Sequence, residues 1–127
     1  MEFLIDSDVL IWLTRGHAGA KTRLDLIYPW QISVITYLEL AQGCRNKEEL
    51  QRLKRGLAQK ETNVLQLTPA ISERSIKLID AYALSVGLQL ADALIAATAI
   101  EHRLAVLTTN SKHFVIIDGL SIERFVP

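Results

Sequence analysis

Phe3-Leu4-Ile5-Asp6-Ser7-Asp8-Val9-Leu10-Ile11-Trp12-Leu13 is the stretch whose reading decides the fold. Three apolar residues run into an acid, and a second apolar run starts after Asp8. The first run reads as a short strand ending at Asp6. Val9 to Leu13 reads as a short helix that stops near Gly16.

The alternation continues outward from there. A helix is expected from about Gly19 to Ile27, stopped ahead of Pro29. Trp30 to Val34 reads as a second strand, and Tyr37 to Cys44 as a helix. Another helix runs from Lys47 to about Gln59, with Leu50, Leu53 and Leu57 on one face and Arg52, Lys54 and Arg55 off it. Asn63 to Leu67 is a third strand. Thr68 then caps a helix with Pro69 in its first position, where the missing N–H costs nothing, and Gly87 ends it. Its apolar stripe is Ile71, Ile79, Tyr82 and Val86. Leu90 to about His102 is a helix apolar almost all round, hence buried. Ala105 to Thr108 and Ser121 to Phe125 complete five strands. Strands alternating with helices predict an α/β fold on a parallel sheet.

With 127 residues the chain suits one domain, 1–127, and it carries no repeat, low-complexity run or linker. It is 50% hydrophobic and 22% charged, which supports a real core and excludes disorder. A formal net charge of zero counts against non-specific DNA coating. It leaves room for an enzyme whose bound metal ions bring the positive charge. Cys44 is the single cysteine, so no internal disulfide can form. The start of the chain has no basic leader. Its longest apolar stretch, Leu90 to Ile100, contains Asp92 and is too short to cross a bilayer. These features predict a soluble, cytoplasmic protein with no membrane partner.

Most of the 14 Asp and Glu residues have polar neighbours or lie on a polar helix face. Asp6, Glu39 and Asp92 do not. They interrupt the most apolar segments: Leu4-Ile5-Asp6, Tyr37-Leu38-Glu39-Leu40-Ala41 and Leu90-Ala91-Asp92-Ala93-Leu94. A buried carboxylate is costly unless it is paired or holds a metal. No lysine or arginine is near Glu39 or Asp92 in sequence. Each acid alone has an ordinary alternative: helix cap for Asp6, solvated helix face for Glu39, first-turn acid for Asp92. For Asp8 the capping reading is preferred. Taken together, the three point to a shared site on the rim of a parallel sheet, outside the carboxyl ends of its strands, where ligands bind. Carboxylates without His or Cys ligands suit a hard cation such as magnesium or manganese. Such a site can activate water against a phosphate ester.

Several segments together resemble the PIN-domain family and, within it, the VapC-like toxins of toxin–antitoxin pairs. They are Phe3 to Ile11, Ser33-Val34-Ile35-Thr36-Tyr37-Leu38-Glu39-Leu40-Ala41-Gln42-Gly43, Leu90 to Ala99, Leu107 to Phe114 and Gly119 to Arg124. The resemblance covers nearly the whole chain, in order. It implies a three-layer α/β/α sandwich with a five-stranded parallel sheet. It implies magnesium- or manganese-dependent cleavage of RNA. The family's first three acids map to Asp6, Glu39 and Asp92 as metal ligands. Ser7 matches a small hydroxyl residue that supports the first acid. Where many relatives carry a fourth acid this chain has Asn110, which can hold a water or phosphate but adds no charge. Thr108 and Thr109 could assist by hydrogen bonding. The family also implies a cognate antitoxin partner and a homodimer, with the helices over Tyr37–Gln59 as candidate surface. Arg45, Lys47, Arg52, Lys54 and Arg55 could approach RNA phosphates, or form a solvated face.

Three rivals remain. Asp6-Ser7-Asp8-Val9 resembles the first motif of haloacid-dehalogenase-like phosphatases, but Leu104 to Asn110 lacks the later acidic pair they need. A receiver-type switch needs an Asp ending the third strand, and Leu65-Gln66-Leu67-Thr68 has none. A catalytically weak PIN fold acting as an RNA- or protein-binding module is kept open by Asn110. His17, His102 and His113 have no paired metal spacing and read as surface or boundary residues. Cys44 reads as a packing residue.

Overall fold

A computed structural model describes residues 2–127. The chain runs β1 (Phe3–Ile5), α1 (Ser7–Thr14), α2 (Ala18–Asp25), β2 (Gln31–Ser33), α3 (Val34–Gln42), α4 (Lys47–Gln59), β3 (Asn63–Leu65), α5 (Pro69–Val86), α6 (Leu90–His102), β4 (Ala105–Thr108) and β5 (Ser121–Arg124). A single 3-10 turn, Ser111–His113, follows β4.

Every strand pairing is parallel. β4 is central to one ladder, in the order β1-β4-β5, with Leu4 opposite Val106 and Ile5 opposite Leu107. β2 and β3 form a second ladder. β1 and β2 lie side by side, yet no ladder joins them among the described residues. The single five-stranded sheet expected from the sequence is therefore corrected to three strands plus two. The strands involved are three residues long, so each edge offers only one or two backbone groups and a small separation breaks the pairing.

Successive side chains of a strand face opposite ways, and here they feed two cores. Leu4 and Val106 join Ile71, Leu78, Ile95, Ala96, Ala99 and Phe114, under α5 and α6. Ile5 and Leu107 join Val9, Leu10, Leu24, Trp30, Ile32 and Leu57, under α1, α2 and α4. Helices thus cover both faces, which is why β4 is buried at all four positions. Arg74 ties α5 to α6 through Glu101 at 2.6 Å. Among the described residues no helix is long and apolar enough to cross a membrane.

The boundaries that differ from expectation have local causes. α3 begins at Val34, three residues before the expected Tyr37, because the Ser33 side chain accepts from Ile35 N and caps it. The second strand is shortened accordingly. β3 ends at Leu65, so Gln66 and Leu67 lead into the cap at Thr68. On α5 the buried positions are Ile71, Ser75 and Leu78, while Val86 is exposed. His17 is more than a boundary residue: its Nδ1 accepts from Ala20 N at 3.0 Å and caps α2. On α4, Leu57 is buried and Leu53 packs on the same core, so this apolar face points inward.

Two glycines should respond to alanine with opposite sign. Gly87 closes α5 at φ +72°, where a Cβ is strained, so Gly87→Ala should lower stability by about 1 kcal/mol. Gly56 is inside α4 with open space where a Cβ would go, so Gly56→Ala should raise it by roughly 0.5–1 kcal/mol. Urea unfolding of both variants checks the signs.

Candidate active site

Asp6 follows β1 and occupies the cap of α1, its backbone N–H continuing the ladder to Leu107 O at 2.9 Å. Its carboxylate is held on both oxygens: Oδ1 accepts from Ser7 N at 2.8 Å and Oδ2 from the Thr108 hydroxyl at 2.9 Å. The expected cap and the expected site residue are thus one side chain. Glu39 stands on the second turn of α3, and Asp92 at the third position of α6. Asn110 follows β4, one residue past Thr109.

All four line one cleft of about 270 Å³, together with Ser7, Asp8, Gln89 and His113. The cleft lies at the carboxyl ends of β1 and β4, where the switch from strand to loop or helix exposes side chains that the sheet would otherwise bury. Only Asp6 among the acids is buried; Asp92 is intermediate and Glu39 is exposed on the rim. The sequence segments around Glu39 are apolar because neighbouring faces of α3 pack inward, not because Glu39 does.

Burial is the main cause that lifts the Asp6 carboxyl to about 7, with the charges of Asp8 and Asp92 adding to it against the Thr108 and Ser7 hydrogen bonds. Partial burial also raises Glu39, aided by Asp92 and Asp8 and opposed by Ser7. Asp92 is raised by burial and by Asp8, while His113 pulls the other way. Among the described residues no lysine or arginine pairs with any of these carboxylates. Nor is any set of three His, Cys, Asp or Glu side chains already drawn together as ligands. The donor chemistry still fits a hard cation: several carboxylates share one cleft, they repel one another, and among the described residues no lysine or arginine offsets them.

Some members of the cleft were not singled out from sequence. Asp8 turns into it, accepting from the Thr109 hydroxyl and from Thr109 N at 3.2 Å. Spacing alone made it a cap, because the partner that draws it inward lies 101 residues away. His113 Nδ1 stands 3.2 Å from Asp92 Oδ2 and 3.2 Å from Asn110 Nδ2. With a proton on Nδ1 it donates to Asp92; without one it accepts from Asn110. The Ser7 hydroxyl, expected to support the first acid, lies instead 3.4 Å from Glu39 Oε1. Thr108 does the supporting. Cys44 is half-buried outside the cleft, its thiol on Leu40 O at 3.4 Å.

Residues 3–120 match the PIN domain. The chain belongs to the PIN-domain family. No curated protein matches it, but solved structures do. A chain of a toxin–antitoxin complex from Klebsiella pneumoniae is 35% identical, with 94% of this chain and 95% of that one covered and a TM-score of 0.79. VapBC-1 from nontypeable Haemophilus influenzae gives 26% identity, 98% coverage of both chains and a TM-score of 0.77. VapBC2 from Rickettsia felis, solved bound to a DNA fragment from their promoter, covers 99% of this chain and 100% of its own, with a TM-score of 0.84; at 21% identity it speaks to fold alone. The likeness of this PIN domain is therefore to the VapC-like branch, as the sequence motifs imply.

The raised pKa of Asp6 fixes the sign of a pH effect. Below about pH 4 the folded and unfolded chains both hold its proton. Between about 4 and 7 the folded chain keeps it and the unfolded chain has released it, so stability falls as pH rises. In chelator, Asp6→Asn should match the wild type near pH 4 and exceed it in stability at pH 8. Unfolding midpoints measured across that range check this.

Proposed function

We propose that this chain is a magnesium- or manganese-dependent ribonuclease and the toxin of a toxin–antitoxin pair. The observation that carries the reading is the cleft itself: Asp6, Asp8, Glu39 and Asp92 share it at the carboxyl end of a parallel sheet, with no lysine or arginine among the described residues opposing them. Such a set calls for a bound cation, and oxygen donors select a hard one. Membership of the PIN family and 35% identity to a chain of a toxin–antitoxin complex support the toxin assignment.

Asp6, Glu39 and Asp92 are the proposed ligands. A bound magnesium or manganese ion supplies Lewis acidity, an activated water and charge neutralisation at a phosphodiester. Thr108 and Ser7 N hold Asp6 in one orientation, so the anchoring carboxylate needs no rearrangement. His113 orients Asp92, and the Asn110 amide can donate to a phosphate oxygen. Asn110 in place of an acid keeps a binding-module reading as the second choice. The proposed protein partner is a cognate antitoxin that covers the cleft, using the surface over 37–59 where Leu38 is exposed. A homodimer is part of the same proposal.

Incubating the protein with a mixed RNA pool in magnesium, manganese or chelator tests the reading. Cleavage is expected with either ion and not with chelator. Asp6→Asn and Asp92→Asn should each lose about 100-fold or more while keeping their circular dichroism spectra. Activity that survives chelator, or both substitutions, removes the carboxylate site. A folded protein that binds but never cuts RNA shifts the conclusion to the binding module.

A further inference from the structure

The acids of the cleft have a counterpart on α4. Along its outward side Lys47, Arg52, Lys54 and Arg55 are all exposed, and none of the four takes part in an ion pair among the described residues. Of the two acids on the helix, Glu49 is engaged by Arg45 at 2.8 Å, and Glu48 is exposed among these cations without forming an ion pair with them. Lys47, Glu48, Gln51, Arg52 and Arg55 border an open hollow of about 600 Å³, so three cations and one acid face it. At 1.5 Å rise per residue, Lys47 and Arg55 stand roughly 12 Å apart along the helix axis. In a chain of zero net charge, this is a local concentration of unpaired cations.

Its position is informative. α4 packs on α3, the helix that carries Glu39 into the cleft. The inward face of α4 is already used, with Leu53 and Leu57 in the core, so no apolar surface there needs cover. The helix, Lys-Glu-Glu-Leu-Gln-Arg-Leu-Lys-Arg-Gly-Leu-Ala-Gln, has no aromatic side chain on which a base could stack. Exposed Lys and Arg without aromatics fit a sugar–phosphate backbone and not base recognition.

We infer that the outward face of α4, through Lys47, Arg52 and Arg55, is a docking ridge for the phosphate backbone of single-stranded RNA, holding the strand without reading its sequence. This rests on the nuclease reading for the choice of RNA. The ridge has a physical task in that setting. The cleft carboxylates repel a polyanion, and cations that pair with none of those acids offset that repulsion. An acidic protein segment is the competing occupant.

The test uses the full chain and a fluorescent-labelled single-stranded RNA pool, with anisotropy read in chelator between 50 and 200 mM salt. The variant is the triple Lys47→Gln/Arg52→Gln/Arg55→Gln; all three positions are exposed and outside the core. Its affinity at low salt should fall by about tenfold or more. Its slope of log affinity against log salt should be shallower by about 2, since each phosphate contact on a single strand contributes about 0.7. A control triple, Arg15→Gln/Lys77→Gln/Arg103→Gln, removes the same charge from exposed positions elsewhere and should bind like the wild type. Equal loss in both triples means that net charge alone matters, which overturns the ridge. Unchanged affinity and slope in the α4 triple also overturn it, and leave the face to an acidic partner. RNA that binds through α4 but is never cut in magnesium or manganese refutes the nuclease reading and not the ridge. RNA that is cut but binds independently of α4 refutes the ridge alone.

Discussion

The parallel pairing of Phe3-Leu4-Ile5 with Ala105-Val106-Leu107 constrains the rest of the molecule. Its register sends Leu4 and Val106 into one core and Ile5 and Leu107 into the other, so both helical layers are attached through the same few residues. It also brings the residue after β1 beside the end of β4. That is why the Thr108 hydroxyl meets Asp6, and why Thr109 meets Asp8. A slip of one residue would exchange the two cores and separate the acids from their donors at once.

Asp6 and Asp8 are held by neutral hydrogen-bond donors, and among the described residues only His113, beside Asp92, can bring positive charge to the acids. Thr108, Thr109 and Ser7 supply neutral donors, which fix geometry while leaving the carboxylates repelling one another. Burial first, and the neighbouring acids second, push the carboxyls of Asp6, Glu39 and Asp92 upward. A lysine in the cleft would relieve the repulsion and would also remove any reason for a cation to bind. Lys47, Arg52, Lys54 and Arg55 are carried instead on α4, outside the cleft.

Much of this was legible in the sequence because it is written locally. The strands β1 and β4, the cap at Thr68, the glycine that ends α5 and the buried α6 each follow from a few adjacent residues. The cleft residues Asp6, Glu39, Asp92 and Asn110 stood out because acids interrupted apolar runs or because the family pattern placed them. What was not legible depends on contacts between distant segments. Asp8 looked like a cap until Thr109 was brought across from β4. His113 had no histidine or acid at ligand spacing, since its partner is on α6. Hydropathy placed five strands but carried no information on whether β1 and β2 would share a ladder. The early start of α3 was hidden because Ser33, Val34 and Ile35 suit a strand as well as a helix entry.

The Asp6–Thr108 contact joins residues 102 positions apart. A chain emerging from the ribosome presents Asp6 and Glu39 long before Asp92, and Thr108 later still. Until β4 is released and slots between β1 and β5, the acids belong to unconnected segments and no cleft exists. The assembled cleft is therefore a property of the folded β1–β4 pairing and not of either end of the chain alone.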